Sequence, residues 1–203
     1  MSAAGKAAPS INPALVLASG SPRRRELLTG LGLRFAVRPP EVDETPLPAE
    51  APRAYVERIA AAKARAVGRP GELVIAADTT VVVDGDLLGK PLDPADAGAM
   101  LARIEGRWHE VLTAVVVREP DSDRDAMEVA STTVRMAAMS PERIAWYVST
   151  GEPLDKAGAY GIQHLGGLLV EEVRGNYLNV VGLPLPLVDR LCRELGYDLL
   201  SFR

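Results

Sequence analysis

The stretch Ser19-Gly20-Ser21-Pro22-Arg23-Arg24-Arg25 sets polar groups in an order that asks for a partner. Ser21 before Pro22 is a helix opening, with Ser21 at the N-cap and Pro22 at the first helical position. Three arginines then occupy the first turn, where the positive end of the helix dipole opposes a cation by roughly 0.3–1 kcal/mol. An anion on the helix end would reverse that sign. Backbone N–H groups, the Ser19 and Ser21 hydroxyls and the guanidinium forks of Arg23 and Arg24 together suit a phosphate. Gly20 lets the backbone approach it closely. A P-loop is excluded, because Leu87–Pro91 lacks the upstream glycine and has proline where the magnesium-holding Ser or Thr belongs.

Carboxylates form the second group. Asp78 follows Leu73–Ala77, a run without a polar residue. This reads as a buried strand that ends on the acid, and strand ends in α/β sheets are where ligands collect. A carboxylate there can hold Mg²⁺ or take a proton from water, with the Thr79 and Thr80 hydroxyls beside it. Glu41, Asp43 and Glu44 lie in an acidic loop. A metal already held by phosphates needs only one or two protein carboxylates, so Glu44 or Asp43 would complete a site with Asp78. Lys63 and Lys90 each read singly as surface lysines, Lys90 pinned between Gly89 and Pro91. Gly151–Gln163 joins Asp155 and Lys156 to a high density of glycine, which suits close approach of backbone to a ligand. The Gln163 amide at its end could pair with a nucleobase edge. His109 and His164 lack metal-ligand spacing, and His109 reads as a structural hydrogen-bonder.

Strands and helices alternate around these groups. Strands are expected at 14–18, 33–37 and 72–78, with a hairpin at 81–88 turning on Asp84-Gly85. That turn disposes of a phosphatase reading of Asp84-Gly85-Asp86, since the triplet does not end a buried strand. Two β-rich runs, 109–117 and 126–138, flank a charged tip and predict a long hairpin. Helices are expected from 22 to about 31, 52–67, 93–104, 140–150 and 184–196, and a further strand at 167–173. The fold class is therefore α/β: a mixed, twisted sheet flanked by helices, in two closely packed lobes with a cleft between them.

The chain has 203 residues, 47% hydrophobic and 25% charged, with a formal net charge of −4. That balance argues against a coat for nucleic acid. One cysteine, Cys192, permits no internal disulfide and reads as a buried inert thiol. No apolar run approaches the roughly 20 residues needed to cross a bilayer, so no membrane partner is expected. Residues 1–13 read as a disordered lead-in, 14–203 as a single domain, and the protein as cytoplasmic.

Together these residues resemble the Maf family of nucleoside triphosphate pyrophosphatases, also described as septum-formation inhibitors. The match runs through "LASGSPRRRELL", "VDE" at 42–44, Lys63, "AADTTVVVDGDLLGKP", "GRWHEVLTAV", "GEPLDKAGAYGIQ" and "NVVGLP". The resemblance implies hydrolysis between the α- and β-phosphates, a divalent cation (Mg²⁺ or Mn²⁺) and a homodimer. It makes Asp78 the catalytic carboxylate and a metal ligand, with Glu44 helping with metal or water. Ser19, Ser21, Arg24, Lys63 and Lys90 would grip the polyphosphate, and Asp155 and Lys156 join the substrate site. Arg23, Thr79 and Gln163 match the specificity positions of the branch that prefers dTTP and UTP. His164 departs from the family, whose members more often have glycine there. A second reading is a nucleotide-binding regulator of cell division with little catalysis of its own.

Overall fold

The computed structural model describes residues 13–203. The expected lead-in at 1–13 thus lies, apart from Pro13, outside the described residues. The elements follow the alternation of the sequence: β1 (Ala14–Ala18), α1 (Pro22–Gly30), β2 (Ala36–Val37), α2 (Pro52–Val67), β3 (Glu72–Val83) and β4 (Asp86–Leu88). Then come α3 (Pro94–Ile104), β5 (Trp108–Glu119), β6 (Arg124–Met136), α4 (Pro141–Ser149), β7 (Val170–Arg174), α5 (Tyr177–Val181) and α6 (Leu185–Glu194). Short 3₁₀ turns fill the glycine-rich segment between α4 and β7.

The seven strands of the described residues form one mixed sheet in the order β2-β1-β3-β5-β6-β7, with β4 on β3. Three neighbours of β3 decide where a ligand can enter. β5 lies antiparallel along one edge, pairing from Val74 opposite Arg118 to Val82 opposite Glu110. On the other edge β1 runs parallel from Glu72 to Ala76 and then stops, and β4 begins pairing only at Val81. Residues 77–80 therefore face an opening in the sheet. The sequence suggests a strand ending at Asp78; instead Asp78 sits in mid-strand. The ladder to β5 carries β3 straight on into the hairpin turn, and it is β1 that ends. The opening expected from a strand end exists, made by the neighbour.

Two further expectations need correction. The strand at 33–37 shrinks to Ala36–Val37, because the Arg34 N–H bonds the Phe202 carbonyl at 2.6 Å and draws this segment to the chain's last turn. α5 has no forerunner in the sequence reading. At 5 residues it is too short for a periodic pattern, and it is set by the Asn176 side-chain cap and by Gly182 at φ 115°.

Alternation along β3 divides the core. Leu73, Ile75 and Ala77 face α6, while Val74, Ala76 and Val82 face α2. Val81 and Val83 pack with α3 and α4 in a third cluster at the far end. β3, β5 and β6 contribute to all three clusters, so the two halves share their central strands. Gly158, at φ 68°, brings the glycine-rich segment onto this frame: its N–H bonds the Gly89 carbonyl at 3.0 Å. A Cβ there would lie 2.7 Å from the Val81 side chain. Gly158→Ala is expected to destabilise the protein by about 2–4 kcal/mol, from overpacking and left-handed strain together. Urea denaturation checks this.

Candidate active site

The opening beside residues 77–80 leads into a cleft of about 600 Å³. Because β3 lacks a neighbour there, side chains from both of its faces line the same space: Asp78 and Thr80 from the α2 side, Thr79 from the other. Asp78 is 5% exposed and Lys63 is 8% exposed. The Lys63 ammonium donates to Asp78 Oδ1 at 2.7 Å and pairs with Glu44 Oε1, also at 2.7 Å. Lys63 is thus no surface lysine. It projects from the inner face of α2 and bridges two carboxylates that would otherwise repel. The Tyr55 hydroxyl donates to the Glu44 carbonyl at 3.0 Å and steadies the acidic loop. Burial pushes the Tyr55 phenol up to about 12, with Asp78 and Glu44 adding to the shift.

The arginines have partners that the sequence conceals. Arg24 is buried. Its Nε donates to the Gly182 carbonyl at 2.8 Å, Nη1 to the Ala77 carbonyl at 2.7 Å and to Ser19 Oγ at 3.3 Å, and Nη2 to Thr79 Oγ1 at 3.0 Å. Four of its five N–H groups are engaged. Ala77 is the residue beyond the end of β1, so the guanidinium occupies the place where a strand neighbour would continue. Burial lowers the Arg24 pKa, opposed chiefly by the charge of Asp78. Arg23 donates from Nη1 to Asp155 Oδ2 at 2.9 Å, and Lys156 bonds the other oxygen at 2.6 Å. Burial works to raise the Asp155 pKa, but hydrogen bonds from Lys156 and Arg23 outweigh it and hold the carboxyl below its usual range. The charge imbalance read at the start of α1 is therefore met partly within the protein. What remains open is the helix end itself. Ser21 makes no side-chain cap, and its N–H bonds Ser19 Oγ at 3.1 Å.

Across the cleft, Gln163 places Oε1 in a buried position with no hydrogen-bond partner among the described residues. The segment carrying it is clamped by Glu152, whose carboxylate accepts from Tyr147 Oη at 2.9 Å, the Gly166 N–H at 2.9 Å and the Leu165 N–H at 3.2 Å. His164 has φ 53°, in the left-handed region that favours glycine. Lys90 lines the cleft, exposed, with no carboxylate partner among the described residues. The cleft thus gathers Ser19, Ser21, Arg23, Arg24, Glu44, Lys63, Asp78, Thr79, Lys90, Asp155, Lys156 and Gln163. Asp43 is not among its lining residues; its Oδ1 accepts from the Thr45 N–H at 2.9 Å.

His109 stands behind this wall. Its Nε2 meets the Tyr160 hydroxyl at 2.7 Å, and Tyr160 lines the cleft. Burial lowers the His109 pKa to about 4, so the ring is neutral at pH 7. The unfolded chain takes up this proton near 6.5 and the folded one only near 4. Stability from this group is present above 6.5 and is lost as pH falls through that window, by up to about 3 kcal/mol. Urea midpoints measured from pH 7.5 to 4.5 should fall in the wild type and flatten in His109→Gln. Cys192 is buried and its thiol is pushed up to about 12 by burial, as befits an inert residue.

Among the described residues no three His, Cys, Asp or Glu side chains gather into a metal cage. The Asp78–Glu44 pair does suit a hard cation that keeps phosphate oxygens and waters for most of its shell. No helix among the described residues is long and apolar enough to cross a membrane.

A family profile described as Maf-like protein matches residues 14–195. A protein of Anaeromyxobacter dehalogenans (strain 2CP-1 / ATCC BAA-258), named dTTP/UTP pyrophosphatase, is 56% identical over 92% of this chain and 96% of its own length. Proteins of the same name from Symbiobacterium thermophilum and Hahella chejuensis are 51% and 47% identical, each over 92% of this chain and over 96% and 94% of their own lengths. With the profile spanning residues 14–195 and these relatives 47–56% identical over 92% of its length, the chain belongs to the Maf family.

Proposed function

We propose that this protein hydrolyses nucleoside triphosphates, dTTP and UTP foremost, to the nucleoside monophosphate and pyrophosphate. The observation that carries the reading is the bridge Asp78–Lys63–Glu44, set at the sheet opening beside the uncapped end of α1. The relatives named dTTP/UTP pyrophosphatase support the same choice of substrate.

In this reading the polyphosphate lies across the start of α1. Ser19, Ser21 and the first-turn amides bind its oxygens, with Lys90 and Lys156 supplying charge. Lys63 has three N–H groups and spends two on carboxylates, so one remains for phosphate. Arg24 contributes its last N–H and holds Ser19 and Thr79 in place. Asp78 keeps one oxygen on Lys63 and turns the other to the attacking water, orienting it and accepting its proton. Asp155 aims Arg23 and Lys156 at the substrate, and Arg23, Thr79 and Gln163 face the base and sugar. Asp78 and Glu44 would hold Mg²⁺ or Mn²⁺, which supplies polarisation of the phosphoryl oxygens. Most of the acceleration comes from positioning and charge stabilisation. The same reading treats residues 14–203 as one unit, since the central strands serve every core cluster.

The test is a panel of nucleoside triphosphates with Mg²⁺, assayed separately for pyrophosphate and orthophosphate. Pyrophosphate and monophosphate from dTTP and UTP are expected. Orthophosphate in its place would make the protein a phosphatase, and binding without either product would leave the regulator.

A further inference from the structure

Behind Thr79 lies a chain of hydrogen bonds that the reaction scheme leaves unused. Thr113 is fully buried and stands directly opposite Thr79 in the β3–β5 ladder. Its Oγ1 is 2.9 Å from Thr79 Oγ1 and 3.1 Å from the Asn179 carbonyl oxygen. That carbonyl also accepts the Gly182 N–H at 3.0 Å. Asn179 is anchored by its side chain, which donates from Nδ2 to the Val111 carbonyl and to Thr132 Oγ1, each at 3.0 Å.

Only one arrangement of the protons fills both hydrogen bonds of Thr113, to Asn179 and to Thr79. A carbonyl can only accept, so Thr113 donates to Asn179. The Thr113–Thr79 contact then has a proton only if Thr79 donates it. The remaining acceptor near Thr79 is the Gly182 carbonyl at 3.5 Å, which also lies inside the protein. One lone pair of Thr79 receives the Arg24 Nη2 proton, because a guanidinium can only donate. A single lone pair is left for the cleft.

We propose that Thr113 is a positioning residue for substrate selection: it turns the Thr79 proton into the protein, so that Thr79 meets the substrate as an acceptor and selects a donor there. This rests on the nucleotide reading above. The donors that dTTP and UTP share are the imide N–H of thymine or uracil and the 3′-hydroxyl of the sugar. Cytosine has a bare acceptor nitrogen where uracil has the imide N–H, and so would leave two lone pairs opposed.

The experiment compares kcat/KM for UTP, CTP and 3′-deoxyUTP in the wild type, Thr113→Val and Thr113→Ser. The wild type is expected to lose activity on CTP if the imide is the donor, or on 3′-deoxyUTP if the sugar is. Thr113→Val frees the Thr79 proton to face the cleft and should shrink that preference by roughly 10- to 100-fold. Thr113→Ser, which keeps the hydroxyl, should restore it. An equal loss on all three nucleotides in Thr113→Val would make Thr113 merely structural and overturn the proposal. Wild-type indifference to both CTP and 3′-deoxyUTP would overturn it even if Thr113→Val does not fold. A wild type that releases pyrophosphate from no nucleotide fails the nucleotide reading instead, a result distinct from either.

Discussion

Asp78→Asn should lower pyrophosphate release from UTP by about 10³-fold while changing nucleotide affinity little. The substitution keeps shape and leaves an oxygen that can accept from Lys63, so the 2.7 Å contact survives in neutral form. What goes is basicity and charge. An amide cannot take a proton from water, and a positioned general base contributes roughly 10²–10⁴-fold. The loss of a carboxylate from the Asp78–Glu44 pair adds to this, since a hard cation held by two protein oxygens would keep one strong ligand. Steady-state pyrophosphate assays and calorimetric titration with UTP separate the two quantities. Turnover near the wild-type rate would remove Asp78 from its proposed role. A large loss of affinity would instead make it a binding group.

Arg24→Met should cost about 3–5 kcal/mol of folding stability, with activity lost alongside. Methionine approximates the length of the side chain but donates nothing, which strands the Ala77 and Gly182 carbonyls and releases Thr79 and Ser19. Leaving buried acceptors unpaired costs about 1–3 kcal/mol each, less any repair by water in the adjoining cleft. The urea midpoint reports this directly. An unchanged midpoint with abolished nucleotide binding would mean that Arg24 serves the ligand alone. An unchanged midpoint and unchanged binding would leave it with neither role.

Much of the molecule was legible in the chain. α2 has the predicted bounds, Pro52–Val67, because alternating apolar and polar stretches over sixteen residues express a helical period strongly. The hairpin of β5 and β6 was announced by β-branched runs around a charged tip. Nearly every candidate site residue lines one cleft. Asp43, offered as an alternative to Glu44, is the exception.

Local patterns determined the elements and the inventory of reactive groups, because helix period, strand alternation and turn chemistry act between near neighbours. Only the folded chain decided the pairings. Lys63 meets Asp78 across 15 positions, Arg23 meets Asp155 across 132, and Arg24 reaches Gly182 across 158. Each depends on where the sheet brings distant segments, and above all on β1 ending at Ala18 while β3 runs on. That difference in strand length opens the sheet at Asp78, gives Arg24 a backbone to complete, and turns a set of charges into a site.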